Sequence, residues 1–147
     1  SFSNGVLQAI IGAGYTGGKN YNQELRVGDG FGISVSMDGN RLAVGSYLDD
    51  GFASTGGNTG AVYLYSFDDA TFTGIDLESR IGFGYTGGKN LSPAGLGGSD
   101  SFGRSVSLDG NRLAVGSVND DGVSNALTNA GAVYLFSFAD AAFNSPT

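Results

Sequence analysis

Apolar and polar residues alternate along several short stretches of the chain. Ile33, Val35 and Met37 are separated by serines, and this period of two is typical of a half-buried β-strand. The stretch 61–67 carries apolar residues on both sides of the alternation, which indicates a strand covered on both faces. Asp38-Gly39-Asn40 follows the first of these stretches and predicts a tight hairpin, because all three residue types tolerate the positive φ of such turns.

The same reasoning predicts eight strands, four in each half of the chain. They span residues 7–11, 31–37, 41–46 and 61–67 in the first half, and residues 77–81, 102–108, 112–117 and 132–138 in the second. Gly occupies 27 of the 147 positions, and a helix loses about 1 kcal/mol of stability for each Gly in place of Ala. We therefore do not expect a helical bundle.

The second half of the chain repeats the first. Residues 11–20 return at 81–90 with an offset of 70, and residues 31–46 return at 102–117 with an offset of 71 and 14 of 16 positions identical. Such self-similarity predicts tandem units of supersecondary structure. We expect an all-β chain of two tandem four-stranded antiparallel repeats of about 70 residues, and such units, stacked face to face, are the blades of a β-propeller.

The two ends of the chain indicate where the repeats begin. Ser1-Phe2 and Ala142-Phe143 both align with Thr71-Phe72. The alignment predicts one repeat at 1–70 and a second at 71–147, with the start of a third repeat phase at 142–147. The chain then represents either a segment of a longer array or a two-unit protomer.

Three motifs of the repeat resemble those of a known family. Phe31-Gly32-x-Ser34-Val35, followed by Ala43-Val44-Gly45-Ser46 and Gly60-Ala61-Val62-Tyr63, resembles FG-GAP repeats, the blades of integrin α-chain propellers. More narrowly, the chain is similar to tandem repeats of large bacterial surface and haemagglutinin-like proteins. The resemblance implies an extracellular β-propeller at the bacterial cell surface that serves adhesion or recognition, is often supported by calcium and is seldom catalytic.

Two features depart from the pattern of that family. Its Asp-x-Asp-x-Asp-Gly calcium loop is replaced by Asp38-Gly39-Asn40 and Asp109-Gly110-Asn111, which are too short to surround a cation that takes 6–8 oxygen ligands. The number of blades also differs, because two blades cannot close a propeller that usually needs four to eight.

Charge and composition exclude several classes of function. The net charge is −7, whereas nucleic acids and anionic membrane surfaces are bound by basic residues. The chain has no His and no Cys, which excludes Ser-His-Asp and Cys-His catalysis and most zinc sites. No apolar run reaches the roughly 20 residues of a membrane span. We expect a protein that is not an enzyme, binds no nucleic acid and does not insert into a membrane.

A Tyr-Thr-Gly-Gly-Lys-Asn loop occurs once in each repeat. An aromatic ring next to Lys and Asn donors is suited to a sugar ring or an acidic group; alternatively, the tyrosines pack between the blades and the lysines are solvated. The candidate ligand-binding residues are Tyr15, Lys19, Asn20, Tyr85, Lys89 and Asn90.

A pair of Asp residues opens a Gly-, Ser- and Asn-rich loop in each repeat. Carboxylates, an Asn and backbone carbonyls together supply the oxygen ligands that calcium prefers, whereas the alternative is an ordinary Asp-Gly turn. The candidate calcium ligands are Asp49, Asp50, Asn58, Asp120, Asp121 and Asn129.

Two functions remain open at this point. The first is a non-catalytic extracellular module that binds a cell-surface glycan or protein as part of a larger propeller or array. The alternative is a structural two-blade unit that associates with copies of itself into a closed ring or a filament. Arg41 and Arg112 are expected to form structural ion pairs with Asp38 and Asp109 rather than to bind an acidic ligand.

Overall fold

Nine β-strands carry the fold in the computed structural model, which describes residues 4–147. Ser1-Phe2, used above to set the repeat phase, therefore lies outside the described residues. Within the described part, no helix is long and apolar enough to cross a membrane. The strands are β1 (Ile11–Gly12), β2 (Tyr21–Asn22), β3 (Phe31–Asp38), β4 (Arg41–Ser46), β5 (Ala61–Ser66), β6 (Asp76–Gly82), β7 (Phe102–Asp109), β8 (Arg112–Ser117) and β9 (Ala132–Ser137).

The strands form one four-stranded and one three-stranded antiparallel sheet. The first sheet has the order β3-β4-β5-β6, the second has the order β7-β8-β9, and β1 and β2 form a separate two-stranded parallel sheet. The chain is all-β, as predicted, but the prediction of two four-stranded repeats is wrong. The outer strand of the first sheet, β6, belongs to the second sequence repeat, so that sheet crosses the repeat boundary.

Seven of the eight predicted strands are present, and the predicted strand at residues 7–11 is not. Only Ile11 of that segment lies in a strand, where it pairs with Tyr21. Its counterpart in the second repeat, β6, forms hydrogen bonds with β5 along its length. The sequence of residues 7–11 is therefore compatible with a strand, and what the segment lacks is a partner strand within the described residues.

The hairpins follow the sequence prediction. Asp38 pairs with Arg41 across a turn of two residues, and Asp109 pairs with Arg112 in the second repeat. The side chains of each pair form an ion pair, with 2.6 Å between Arg112 Nη2 and Asp109 Oδ2. Both predicted ion pairs are therefore present.

The main hydrophobic core lies between the two sheets. The first sheet contributes Ala43, Val62, Leu64 and Ile81, and the second contributes residues that include Phe102, Leu113, Val115 and Phe136. Val62 and Leu64 are 0% exposed. Because Tyr63 and Tyr65 on the same strand are buried in a second cluster on the other face of the sheet, β5 is covered on both faces, as predicted.

Strands β3 and β7 lie side by side through polar contacts. The Ser34 hydroxyl donates to the Gly103 carbonyl at 2.8 Å, and the Leu108 amide donates to the Ser36 hydroxyl at 2.9 Å. The serine side of β3 thus faces the second sheet. The apolar side is the exposed one, since Val35 is 63% and Met37 52% accessible. The predicted strand is present, but its alternating apolar residues lie on the open side and its serines on the covered side.

The stacking of the sheets predicts unequal effects of two equivalent substitutions. Leu64→Ala opens a cavity in the core and should lower the free energy of unfolding by about 2–5 kcal/mol. Leu135→Ala changes the equivalent residue of the second repeat, which is 77% exposed. In dilute solution this substitution should change the free energy of unfolding by less than about 0.5 kcal/mol. Urea denaturation followed by circular dichroism measures both, and equal effects would contradict the stacking.

Candidate functional site

A cleft of about 290 Å³ opens at one end of the first sheet. Three segments meet there: the connection between β4 and β5, the segment before β3, and the end of β6. They meet because the start of β3, the end of β4, the start of β5 and the end of β6 lie at the same end of this antiparallel sheet. The polar residues at its walls are Glu24, Arg26, Asp29, Asp50, Arg80 and Tyr85, with Asp49 and Tyr63 beneath them.

Asp49 organises the base of the cleft. Its carboxylate is 3% exposed and accepts hydrogen bonds from the Gly51 amide at 2.7 Å, the Tyr63 hydroxyl at 2.6 Å and the Tyr85 hydroxyl at 3.1 Å. Burial and the neighbouring Asp49 charge raise the pKa of Tyr85 to about 12 and also raise the pKa of Tyr63. Both hydroxyls therefore remain protonated donors at neutral pH.

The second Asp of each predicted calcium pair closes its own loop. Asp50 accepts the Asn58 amide at 2.8 Å, and Asp121 accepts the Asn129 amide at 2.6 Å. In both loops the Asn contributes its backbone N–H to this closure.

These contacts test whether the residues present fit a calcium ion. The oxygens of Asp49 face N–H and O–H donors, and Asp120 likewise accepts the Gly122 amide and the Tyr134 hydroxyl. Among the described residues, no group of three or more acidic side chains is placed to hold a metal ion. The donor set does not fit a calcium shell, and calcium stays a prediction that no contact supports.

One buried acid in each repeat was not among the predicted site residues. Asp29 is 7% and Asp100 2% exposed, and each accepts a backbone amide three residues away. Burial is the main cause that raises the pKa of both carboxyls. Repulsion from the paired Asp residues after β4 and β8 raises it further. The sequence signal is an Asp between two small residues at the same position of both repeats, Gly-Asp-Gly and Ser-Asp-Ser.

Arg80 was also missed by the sequence analysis. Its guanidinium carbon lies 5.7 Å from the ring centre of Tyr63 and 5.9 Å from that of Tyr85. Within residues 4–147 the guanidinium forms no hydrogen bond or ion pair. The first repeat carries Ile10 at this position, and this difference between two otherwise similar repeats is the signal that identifies Arg80.

The structure does not bring the six predicted ligand-binding residues together. Asn20 and Asn90 use their side-chain oxygens to accept the amides of Ile10 and Arg80, both at 2.8 Å. These bonds fasten the Tyr-Thr-Gly-Gly-Lys-Asn loop to the strand before it. Of the two tyrosines, Tyr85 lies in the cleft.

The remaining tyrosine and the two lysines lie elsewhere. Lys89 forms an ion pair with Glu78 and donates to the Ala142 carbonyl at 2.7 Å. Lys19 donates to the Thr71 carbonyl at 2.6 Å, so both lysines connect loops. Tyr15, the counterpart of Tyr85, is 47% exposed.

Removing Asp49 and Asp120 should have unequal effects on stability. Each Asp also accepts a backbone amide, but Asp49→Ala leaves two tyrosine hydroxyls, those of Tyr63 and Tyr85, without their acceptor, whereas Asp120→Ala leaves one, that of Tyr134. The cost of an unsatisfied polar group predicts that Asp49→Ala lowers the free energy of unfolding by about 1–2 kcal/mol more. Urea denaturation of the two variants provides the comparison, and a larger effect of Asp120→Ala would disprove the assignment.

The raised pKa of Asp100 predicts a pH dependence of stability. Its ordinary value is 3.8 and its folded value is higher, so the folded state binds the proton more tightly. The stabilisation of the folded state by this tighter proton binding is complete below pH 3.8 and is lost as the pH rises through the folded pKa. Asp100→Asn has no carboxyl to ionise at this position, so its stability should not fall as the pH rises, and it should be more stable than the wild type at pH 7. Thermal unfolding of both proteins from pH 3 to 8 tests this, and a variant less stable at pH 7 would contradict it.

Comparison with known proteins gives one result. The sequence profile of the FG-GAP repeat family matches residues 23–65 and 89–136, one match in each repeat and together more than half of the chain. No curated protein matches the chain. The two matched segments contain β3–β5 and β7–β9 with their connecting loops, except for the last residue of β5 and of β9. The chain therefore belongs to the FG-GAP repeat family.

Proposed function

We propose that the two sheets are adjacent blades of an extracellular β-propeller that serves adhesion or recognition and has no catalytic role. The stacking of the sheets is the observation that carries the proposal. The second sheet covers one face of the first, and β3 and β7 lie side by side through hydrogen bonds of Ser34 and Ser36. Successive blades of a propeller are arranged in this way, with the first strand of each blade nearest the axis.

The cleft beside Arg80 is the proposed place of recognition. A guanidinium binds a carboxylate through two parallel hydrogen bonds, and the rings of Tyr63 and Tyr85 hold that guanidinium in place. Glu24 and Asp50 also line the cleft and supply acceptors for hydroxyl groups. These groups together suit an acidic sugar of a cell-surface glycan.

The hydrogen bonds at the base of the cleft support a binding role. Asp49 accepts hydrogen bonds from Tyr63, Tyr85 and Gly51, and one oxygen of Asp50 accepts the Asn58 amide. These bonds fix the shape of the cleft around Arg80, whose guanidinium stacks on Tyr63 and Tyr85.

A second candidate function is a structural unit that assembles with copies of itself. It is favoured by the apolar side chains of Val133 and Leu135, which are 69% and 77% exposed on the second sheet. The two functions are compatible, because the cleft and this apolar surface belong to different sheets.

The recognition proposal predicts a selective loss of binding on removal of Arg80. Arg80→Ala should weaken binding to a carboxylate-bearing glycan at least tenfold, since a hydrogen bond to a charged group contributes about 1.5–3 kcal/mol. A glycan array identifies the ligand and calorimetric titration measures its affinity. Arg104→Ala is the matched control, because this arginine stacks on Tyr47 outside the cleft.

Three outcomes would contradict the proposal. The wild-type protein could bind no glycan on the array, Arg104→Ala could weaken binding as much as Arg80→Ala, or the protein could release product from a glycan. The last outcome would assign an enzymatic function instead.

A further inference from the structure

An exposed phenylalanine lies in the cleft beside Arg80. Phe52 lines the cleft and is 62% exposed. Its ring lies edge-on to that of Tyr85, with 6.3 Å between the ring centres, and the Arg80 guanidinium carbon lies 5.9 Å from the centre of the same Tyr85 ring. A single exposed apolar residue is ordinary on a protein surface. Phe52 is unusual because it shares a cleft with a guanidinium that forms no hydrogen bond or ion pair within the described part of the chain.

Backbone contacts hold Phe52 at this position. Its amide donates to the carbonyl of Phe83, the residue that follows β6, at 2.9 Å. Gly51 has a φ of 74°, and a Cβ at this position would lie 2.6 Å from the Phe83 carbonyl oxygen, so the close approach requires glycine. The Thr55 hydroxyl donates to the Phe52 carbonyl at 3.0 Å. Because the loop is already ordered, a ligand that contacts the ring does not have to order it.

The equivalent loop of the second repeat has the same backbone conformation without an aromatic ring. Ala53 and its counterpart Ser124 have φ of 58° and 60°, and the counterpart of Phe52 is Val123. The loop therefore folds without a phenylalanine at this position. Arg80 is likewise absent from the equivalent position of the first repeat. Two residues that differ between the repeats thus lie in one cleft, which indicates a role in a ligand contact rather than in the fold.

The size of the cleft limits the bound part of a glycan to one sugar unit. Its volume is about 290 Å³, whereas sites for small molecules usually have about 300–1,000 Å³. A longer glycan therefore enters with one unit and continues into solvent. That unit has to supply both the carboxylate for Arg80 and the surface that contacts Phe52.

A uronic acid meets both requirements in one ring. Its carboxylate is bonded directly to the pyranose ring, and a guanidinium binds a carboxylate through two parallel hydrogen bonds. Where the hydroxyl groups are equatorial, as in glucuronic acid, the two faces of the ring carry only axial C–H bonds and are apolar. Packing such a face on the Phe52 ring removes apolar surface of both from water. The hydroxyl groups at the ring edge stay available to the Asp50 carboxylate, which also lines the cleft.

The charges of the cleft favour a ligand with a single negative charge. Four acids and two arginines line it: Glu24, Asp29, Asp49, Asp50, Arg26 and Arg80. A uronic acid brings one negative charge, which pairs with the Arg80 guanidinium. A phosphate ester brings about 1.5–2 negative charges at pH 7, and the excess charge would be repelled by the acids around it. The cleft is therefore suited to a carboxylated sugar rather than a phosphorylated one.

We propose that Phe52 is the specificity-determining residue of the cleft and that the ligand is a uronic acid unit with equatorial hydroxyl groups. The Arg80 guanidinium pairs with the ring carboxylate, and the Phe52 ring packs on the C–H face of the same sugar. An acid without a ring lacks that face, and a neutral sugar lacks the carboxylate. The inference rests on the recognition function proposed above and names its ligand class.

Titration with two matched acids, followed by NMR chemical shifts, tests the role of Phe52. The probes are methyl β-D-glucuronoside and D-gluconate, an open-chain acid that has the carboxylate and hydroxyl groups without the ring. The wild-type protein should bind the glucuronoside about three- to tenfold more tightly than gluconate. Phe52→Ala should weaken binding of the glucuronoside by the same factor and change that of gluconate less than twofold. Phe52→Tyr, which keeps an aromatic ring, should bind the glucuronoside as the wild type does.

A matched variant and a third probe complete the test. Val123→Ala shortens the equivalent residue of the second repeat, which is 89% exposed, and should leave binding of both acids unchanged. Glucose 6-phosphate should bind the wild-type protein at least tenfold more weakly than the glucuronoside. Equal or tighter binding of the phosphate would overturn the proposal, as would an effect of Phe52→Ala that is absent or equal for the two acids.

Arg80→Ala separates this inference from the recognition function. It should weaken binding of both acids, because both depend on the guanidinium. If Arg80→Ala weakens both and Phe52→Ala weakens neither, the cleft recognises a carboxylate and only the role of Phe52 is disproved. A protein that binds an acidic glycan through Arg80 but not the glucuronoside would also overturn this inference alone. A wild-type protein that binds neither these acids nor any glycan would overturn both.

Discussion

The pairing of β6 with β5 is the interaction on which the rest of the structure depends. It brings a strand of the second repeat to the edge of the first sheet and places Ile81 beside Val62 in the core. A buried strand edge without a partner would leave backbone N–H and C=O groups unsatisfied. The first sheet is therefore completed by a strand of the second repeat, and the sequence repeat and the sheet are not the same unit.

The candidate site is a consequence of this pairing. Tyr85 follows β6 and Asp49 follows β4, and their 3.1 Å hydrogen bond joins the two repeats. Arg80 lies on β6 itself and stacks on Tyr63 of β5. The cleft of the first sheet is therefore built in part by residues of the second repeat. Among residues 4–147, the corresponding acid of the second sheet, Asp120, accepts the hydroxyl of Tyr134 and no second tyrosine hydroxyl.

The strands and hairpins that the sequence predicted correctly are those determined by residues within one repeat. Alternating residues and the Asp-Gly-Asn turns predicted seven of the strands and both hairpins, because local periodicity and turn chemistry determine them. It did not predict that residues 7–11 lie largely outside a strand, since a strand needs a partner. Nor did it predict that the serines of β3 face the second sheet, because polar contacts such as that of Ser34 with Gly103 replace apolar burial at this contact.

The same limit applies to the site residues. Asp49 and Tyr85 were selected from separate motifs with different roles, and only the fold shows that they bond to each other. Asp29 and Arg80 were missed for opposite reasons. Asp29 recurs in both repeats without a recognised motif, and Arg80 differs from its counterpart Ile10. A comparison of the repeats position by position, guided by the strand pairing, identifies both residues.

Hydrogen exchange of individual backbone amides tests the central claim most directly. If β6 closes the first sheet, its amides that bond to β5 should exchange as slowly as those of β4 and β5 and should open together with them. Amides of β6 that exchange rapidly, or that open with β7–β9 while β3–β5 remain protected, would contradict the account.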